Sequence, residues 1–156
     1  MGILTDDMKR VVRQQRLAFV ATVCADNTPN LSPKGTIAVW DDDHLVFANI
    51  RSPRTVSNLR RNSAIEINVV DPMVRKGYRF KGTATVLEAG ARYEQVTALF
   101  TARGVSNPIR EVVVIKVEHA LPVTTLRRSP AGWKARSASQ RGTSPRRAAS
   151  LTSRRS

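Results

Sequence analysis

Residues 31–64, LSPKGTIAVWDDDHLVFANIRSPRTVSNLRRNSA, decide how this chain folds. They read as a strand from Leu31 to Trp40, a polar turn at Asp41-Asp42-Asp43, and a returning strand from His44 to Asn49, the two strands forming an antiparallel hairpin. A short helix follows from about Ser52 to Arg61, with Val56 and Leu59 on its inward face. Ser52 is a good N-cap, and Pro53 at the first helical position gives up an N–H that has no intrahelical partner in any case. The remaining free N–H groups turn partial positive charge outward, and Lys34 and Arg54 bracket them. A lone basic residue on a strand is ordinarily a solvated charge; two of them around a capped helix start favour an anion site.

Upstream, Thr5 can cap a first helix, with Asp6 and Asp7 in its positive first turn, Met8, Val11 and Val12 on one face, and Arg13 and Arg16 at its C-terminal end. Residues 17–23, LAFVATV, form a strand closed by turn residues Ala25 to Pro29. Downstream, Ala64 to Val70 alternates apolar residues at Ile65, Ile67 and Val69, Asp71-Pro72 ends it, and Tyr78 to Leu87 is a fifth strand. Ala91 to Ala102 places Val96, Leu99 and Phe100 on one helical face, with Gly104 as a plausible C-cap. In Glu111 to His119 the alternation is masked by VVVI, which predicts burial on both faces, at a barrel wall or a subunit contact. The fold class is mainly β: six antiparallel strands joined by tight turns, with short helices over the ends, favour a closed barrel over a parallel sheet.

At 156 residues with 41% hydrophobic and 24% charged residues, the chain suits one soluble domain. There is no run of 18 apolar residues, and MGILTDDMKR places acids where a signal peptide needs a basic and then an apolar stretch, so a cytoplasmic location and no membrane partner are expected. Cys24 is the only cysteine, which excludes an intrachain disulfide and a cysteine-built metal centre and reads as a small hydrophobe.

The formal charge of +14 is unevenly distributed. Residues 121–156 hold nine Lys or Arg and no acid, leaving 17 basic against 12 acidic residues in the first 120. The division expected is a domain over 1–123 and a basic tail over 124–156, rich in Ser, Arg, Ala and Pro and too poor in apolar periodicity to offset its ordering entropy. Three accounts of the tail stand: a solvated segment without specific role, a nucleic-acid or acidic-surface tether acting by counterion release, or an altered reading frame in a GC-rich gene. Nucleic acid is expected only through that tail, since an aromatic content of 5% argues against base stacking by the body.

The run LVFANIRSPRTVSNLRRNSAIEINVV resembles the flavin-binding segment of the pyridoxamine 5′-phosphate oxidase-like split-barrel family, in which a strand ending in Thr-Asn or Ala-Asn leads into a Ser-x-Lys/Arg helix start. SPKGTIAVW resembles that family's preceding strand and GYRFKGTATVLE its following one, so the resemblance spans about residues 5–123 in matching order. It implies a split β-barrel that binds FMN, with the deazaflavin F420 as the alternative cofactor, acts as an oxidoreductase on a small molecule, and works as a homodimer with the cofactor between subunits. Carried over by position, Lys34 would neutralise a phosphate oxygen with Ser32 and Thr36 beside it. Arg54, assisted by Ser52 and Thr55, would hold the phosphate bidentately. Ala48, Asn49 and Ile50 would lie along the flavin ring, and Arg79 or Lys81 would approach from the fifth strand. The Arg and His residues that hold the vitamin's phosphate in pyridoxal phosphate-forming members have no counterpart in the final segment, so pyridoxamine oxidation itself is not expected.

Other residues have plainer readings. Arg60 and Arg61 compensate the dipole at the helix end. Trp40 is core or hairpin packing. His44 and His119 have no Asp, Ser or Cys at triad spacing. Asp41-Asp42-Asp43 lacks the Gly and distant Glu of a calcium loop and is a turn.

Overall fold

Thr5 opens the first helix as predicted: its Oγ1 accepts from the Met8 N–H at 3.3 Å, and α1 (Asp6–Gln15) runs to Arg16, whose N–H bonds the Val12 carbonyl from a left-handed conformation. The computed structural model describes residues 2–124, and the expectation for the basic tail lies outside them. The remaining elements are β1 (Ala18–Val23), β2 (Pro29–Lys34), β3 (Ala38–Val39), β4 (His44–Asn49), α2 (Pro53–Arg61), β5 (Ala64–Asp71), β6 (Lys76–Leu87), α3 (Ala91–Ala102) and β7 (Glu111–Thr124). Among the described residues, no helix is long and apolar enough to cross a membrane.

The strands form one antiparallel sheet in the order β2-β1-β5-β6-β7-β4-β3, seven strands where the sequence predicts six. The predicted strand from Leu31 to Trp40 is two strands, broken at Gly35 and Thr36. Only its second piece makes the predicted hairpin, pairing Ala38 with Val46 and Val39 with Leu45; the first piece pairs with β1, from Ala18 opposite Lys34 to Val23 opposite Pro29. Pro29 and Pro33 explain why β2 takes an edge, since neither has an N–H to give a ladder.

That break makes the barrel. Seven strands laid flat would put the two edges about 29 Å apart at the usual interstrand spacing. The four Cα steps from Lys34 to Ala38 reach at most roughly 14 Å. The sheet therefore curls, and its edge strands β2 and β3 approach each other across the split.

Two cores follow from the period of two. The barrel interior holds Val20, Leu45, Phe47, Ile67, Val69, Phe80, Val113 and Ile115, closed by Leu4, Val12 and Leu59. On the other face of β4 and β7, Val46, Ala48, Val112 and Val114 pack under Val96 and Phe100 of α3, with Trp40 at the margin. The VVVI run is thus buried on both faces as predicted, by the barrel interior on one side and α3 on the other. Between Lys81 and Gly82 the β6–β7 register slips by one residue, and a Cβ on Gly82 would stand 1.9 Å from the Lys116 carbonyl oxygen, so only glycine allows that approach.

The Asp41-Asp42-Asp43 segment is a turn: Asp41 Oδ1 accepts from the Asp43 and His44 N–H groups, and Asp43 Oδ1 accepts from the Ile3 N–H. Arg60 departs from its plain reading. Besides closing α2, it pairs with Glu88 and, at 3.5 Å, with Glu111.

Candidate functional site

Lys34 ends β2 with its side chain 4% exposed, a position that a lysine holds at a cost unless its charge is answered. Its Nζ donates to Ser32 Oγ and Ser52 Oγ, each at 2.7 Å, and to Thr55 Oγ1 at 3.5 Å, and it lies 5.8 Å from the centre of the Phe47 ring. Three hydroxyls thus take the three ammonium hydrogens, and the ring face adds a weak attraction. The charge itself has no carboxylate within ion-pair distance among the described residues. Desolvation pulls the lysine's pKa below its ordinary 10.5. An anion is the group this cluster lacks.

The start of α2 supplies the rest. Ser52 does not act as the predicted side-chain cap: its hydroxyl accepts from Lys34, and it makes no hydrogen bond to the first-turn N–H groups. Asn49 Oδ1 instead accepts from the Ser52 N–H at 3.1 Å. The N–H groups of the first turn therefore face outward without a side-chain partner, next to the Lys34 ammonium, which is the arrangement that receives a phosphate or carboxylate. Arg54 is exposed on the first turn. Its charge is the smallest of the influences that hold Asp26 below the usual carboxylate range, the largest being the Thr28 hydroxyl.

Of the nine residues the sequence nominates, Ser32, Lys34, Ser52 and Thr55 meet in one cluster and Arg54 stands at its exposed rim. Thr36 and Ala48 join elsewhere: the Thr36 hydroxyl donates to the Ala48 carbonyl at 2.8 Å, and the Ala48 side chain packs beneath α3. The strand alternation accounts for this, because Phe47 faces Lys34 and its neighbour must face away. Asn49 is buried with both ends of its amide engaged, and Ile50 lies at the bend before α2. Arg79 and Lys81 do not approach the cluster; they share Glu66 at 2.9 and 3.2 Å across β5 and β6.

Sequence reasoning missed three contributors. Phe47 lies under the ammonium, and Asn58 ties α2 to β1 by donating to Thr22 Oγ1 at 3.0 Å. The third is Glu111, which accepts from Asn49 Nδ2 at 2.9 Å. The apolar alternation of β4 signals Phe47 as inward, but nothing local signals the other two.

A second basic hollow, about 340 Å³, lies beyond Thr36, with Arg13, Arg16 and Arg103 around a floor of Ile37, Phe100 and Val105. Arg103 closes α3 through its backbone, its N–H bonding the Leu99 and Phe100 carbonyls at 3.2 and 3.1 Å, a role that does not call for an arginine side chain. None of the three arginines pairs with a carboxylate among the described residues.

A curled antiparallel barrel split between its edge strands, with a buried basic residue facing a helix start, defines the split-barrel class. The sequence model of pyridoxamine 5′-phosphate oxidase matches residues 4–124, and the chain belongs to that family. Among solved structures, HupZ of Group A Streptococcus is 36% identical, with a TM-score of 0.71 over 78% of this chain and 94% of that one. An FMN-binding protein of Syntrophomonas wolfei subsp. wolfei has a TM-score of 0.66 at 18% identity, over 80% of this chain and 88% of its own. An F420 reductase has a TM-score of 0.58 at 18% identity, over 75% and 98%. The last two likenesses concern the fold. No curated protein matches the sequence.

Proposed function

We propose that the protein binds FMN by its phosphate, between Lys34 and the start of α2, and serves as an FMN-dependent oxidoreductase for a small molecule in the cytoplasm. The observation that carries this reading is the buried Lys34 ammonium, held by three hydroxyls and, among the described residues, no carboxylate. When bound, the flavin supplies the electron transfer. The residues of this chain bind and orient: Lys34 and the first-turn N–H groups receive the phosphate, Arg54 closes over it from the rim, and Ser32, Ser52 and Thr55 keep the ammonium aimed. The membership of an FMN-binding protein in the same fold supports this reading. The hollow lined by Arg13, Arg16 and Arg103 would suit a negative group on a substrate.

The same reading takes the protein as a homodimer. The outer face of the sheet carries Phe19, Leu31 and Leu121, all exposed, and the Oδ1 of Asn68 on that face is buried without a hydrogen-bond partner among the described residues. A second copy would cover these groups and complete the cofactor cleft.

The phosphate cluster does not by itself separate FMN from F420, whose phosphate would use the same residues. Titration of the purified protein with each cofactor, read by quenching of its fluorescence, separates them. FMN binding is expected, with Lys34→Ala and Arg54→Ala each weakening it by about 1.5–3 kcal/mol, the worth of a hydrogen bond to a charged group. Binding of F420 alone would move the protein to the alternative cofactor, and binding of neither would overturn the reading.

A further inference from the structure

We propose that Glu111 is a positioning residue of the anion site, acting through Asn49 from the far side of β4; the inference rests on the reading of the Lys34 cluster as an anion site. Asn49 and Glu111 are cross-strand partners in register, the last residue of β4 and the first of β7. Asn49 is 4% exposed, and the Glu111 side chain is 17% exposed.

A primary amide can be turned over at little steric cost, so its direction is set by its partners. An ionised carboxylate only accepts hydrogen bonds. Glu111 Oε2 therefore holds the Asn49 amide with its NH2 toward β7, at 2.9 Å, and this leaves Oδ1 toward the Ser52 N–H, at 3.1 Å. With its backbone anchored by Asn49, Ser52 keeps its hydroxyl for Lys34 and the first turn of α2 stays uncapped. Arg60, in the last turn of the same helix, lies 3.5 Å from the other Glu111 oxygen. One carboxylate at the start of β7 thus touches both ends of α2, one through Asn49 and the other through Arg60.

The role belongs to the acceptor oxygen facing Asn49. The Arg60 contact is long and half-exposed, and a pair of that kind contributes little. Glutamine at position 111 still offers an oxygen to Asn49, whereas alanine offers none and frees the amide to turn.

The test uses the full chain and two probes: FMN by fluorescence quenching, and inorganic pyrophosphate by its rise in melting temperature, which reads the anion site without the flavin ring. Glu111→Ala should weaken both by about fivefold, Glu111→Gln should recover most of the loss, and Arg60→Ala should stay within about twofold of the parent. In an Asn49→Ala background Glu111→Ala should cost nothing further, a non-additivity that a general loss of stability would not produce. Unchanged binding in Glu111→Ala, equal losses in the alanine and glutamine variants, or additive losses with Asn49→Ala would each overturn the proposal. If Glu111→Ala does not fold, Glu111→Asp, one methylene short of Asn49, carries the same comparison. A parent protein that binds pyrophosphate but not FMN would remove the cofactor reading and leave the pyrophosphate arm to decide this one; a parent that binds neither would overturn both.

Discussion

Lys34 is a buried cation whose hydrogen bonds are met and whose charge is not, and the two facts have different consequences. The hydroxyls fix where the ammonium points. Burial, with no counter-charge to offset it, makes the folded chain hold that proton less tightly than the unfolded chain does. With the folded pKa lowered and the unfolded one near 10.5, the unfolded chain binds more protons throughout the window between them. Stability from this group therefore rises as pH climbs from the lowered pKa toward 10.5, and is at its least below that window. Denaturant unfolding from about pH 8 to 10.5 should show the parent gaining on Lys34→Met, whose residue does not titrate, and bound pyrophosphate should flatten the difference. Parallel profiles would mean that the lysine is solvated. This residue was legible in the sequence because Lys34, Ser52 and Thr55 lie within 21 residues of one another, on β2 and at the start of α2. Glu111 was not, because it reaches Asn49 across 62 residues and its position at a strand start looks like any solvated edge charge.

At the scale of elements, two helices that begin with similar signals use them differently. Thr5 caps α1 by a bond to the Met8 N–H, whereas Ser52, the better cap by propensity, gives its hydroxyl to Lys34. Thr5→Ala should therefore cost about 1 kcal/mol of stability and leave anion binding unchanged. Ser52→Ala should change stability less and weaken pyrophosphate binding, because the ammonium loses one of its two short contacts. Equal stability losses with no change in binding would restore Ser52 as an ordinary cap. Local rules read the two N-termini alike because they do not see a tertiary partner competing for the hydroxyl. They missed the break at Gly35 for the same reason. The apolar alternation resumes at Ile37 and Val39 as though one strand continued, and only the pairing with β1 on one side and β4 on the other ends β2 at Lys34.

The whole molecule follows from that break, since the short link between the two edge strands makes the sheet curl and the interior fills with Val20, Phe47, Ile67, Phe80 and Ile115. The barrel was legible from strand count and tight turns; its outer face was not, because Phe19 and Leu31 alternate out of the core in a sequence that gives no sign of what meets them. Across the sheet, register places Pro33, Phe19, Asn68, Arg79 and Leu121 in one row. Phe19 is 43% exposed and Leu121 55% in this row, with Leu31, 65% exposed, beside it on β2; the Oδ1 of Asn68, between Phe19 and Arg79, is buried without a hydrogen-bond partner among the described residues. Exposed apolar side chains beside an unpaired amide oxygen are costly to leave in water and suit a self-complementary contact, in which each copy covers the other's row. The parent should therefore show twice the chain mass by light scattering. Phe19→Asp with Leu31→Asp should halve that mass while leaving the far-ultraviolet circular dichroism of the barrel unchanged. The Lys34 cluster lies within one chain, so on the proposed reading the monomeric variant should keep its pyrophosphate response and lose affinity for FMN. A monomeric parent would remove the shared cleft, and a variant that keeps both mass and affinity would place the contact on another face.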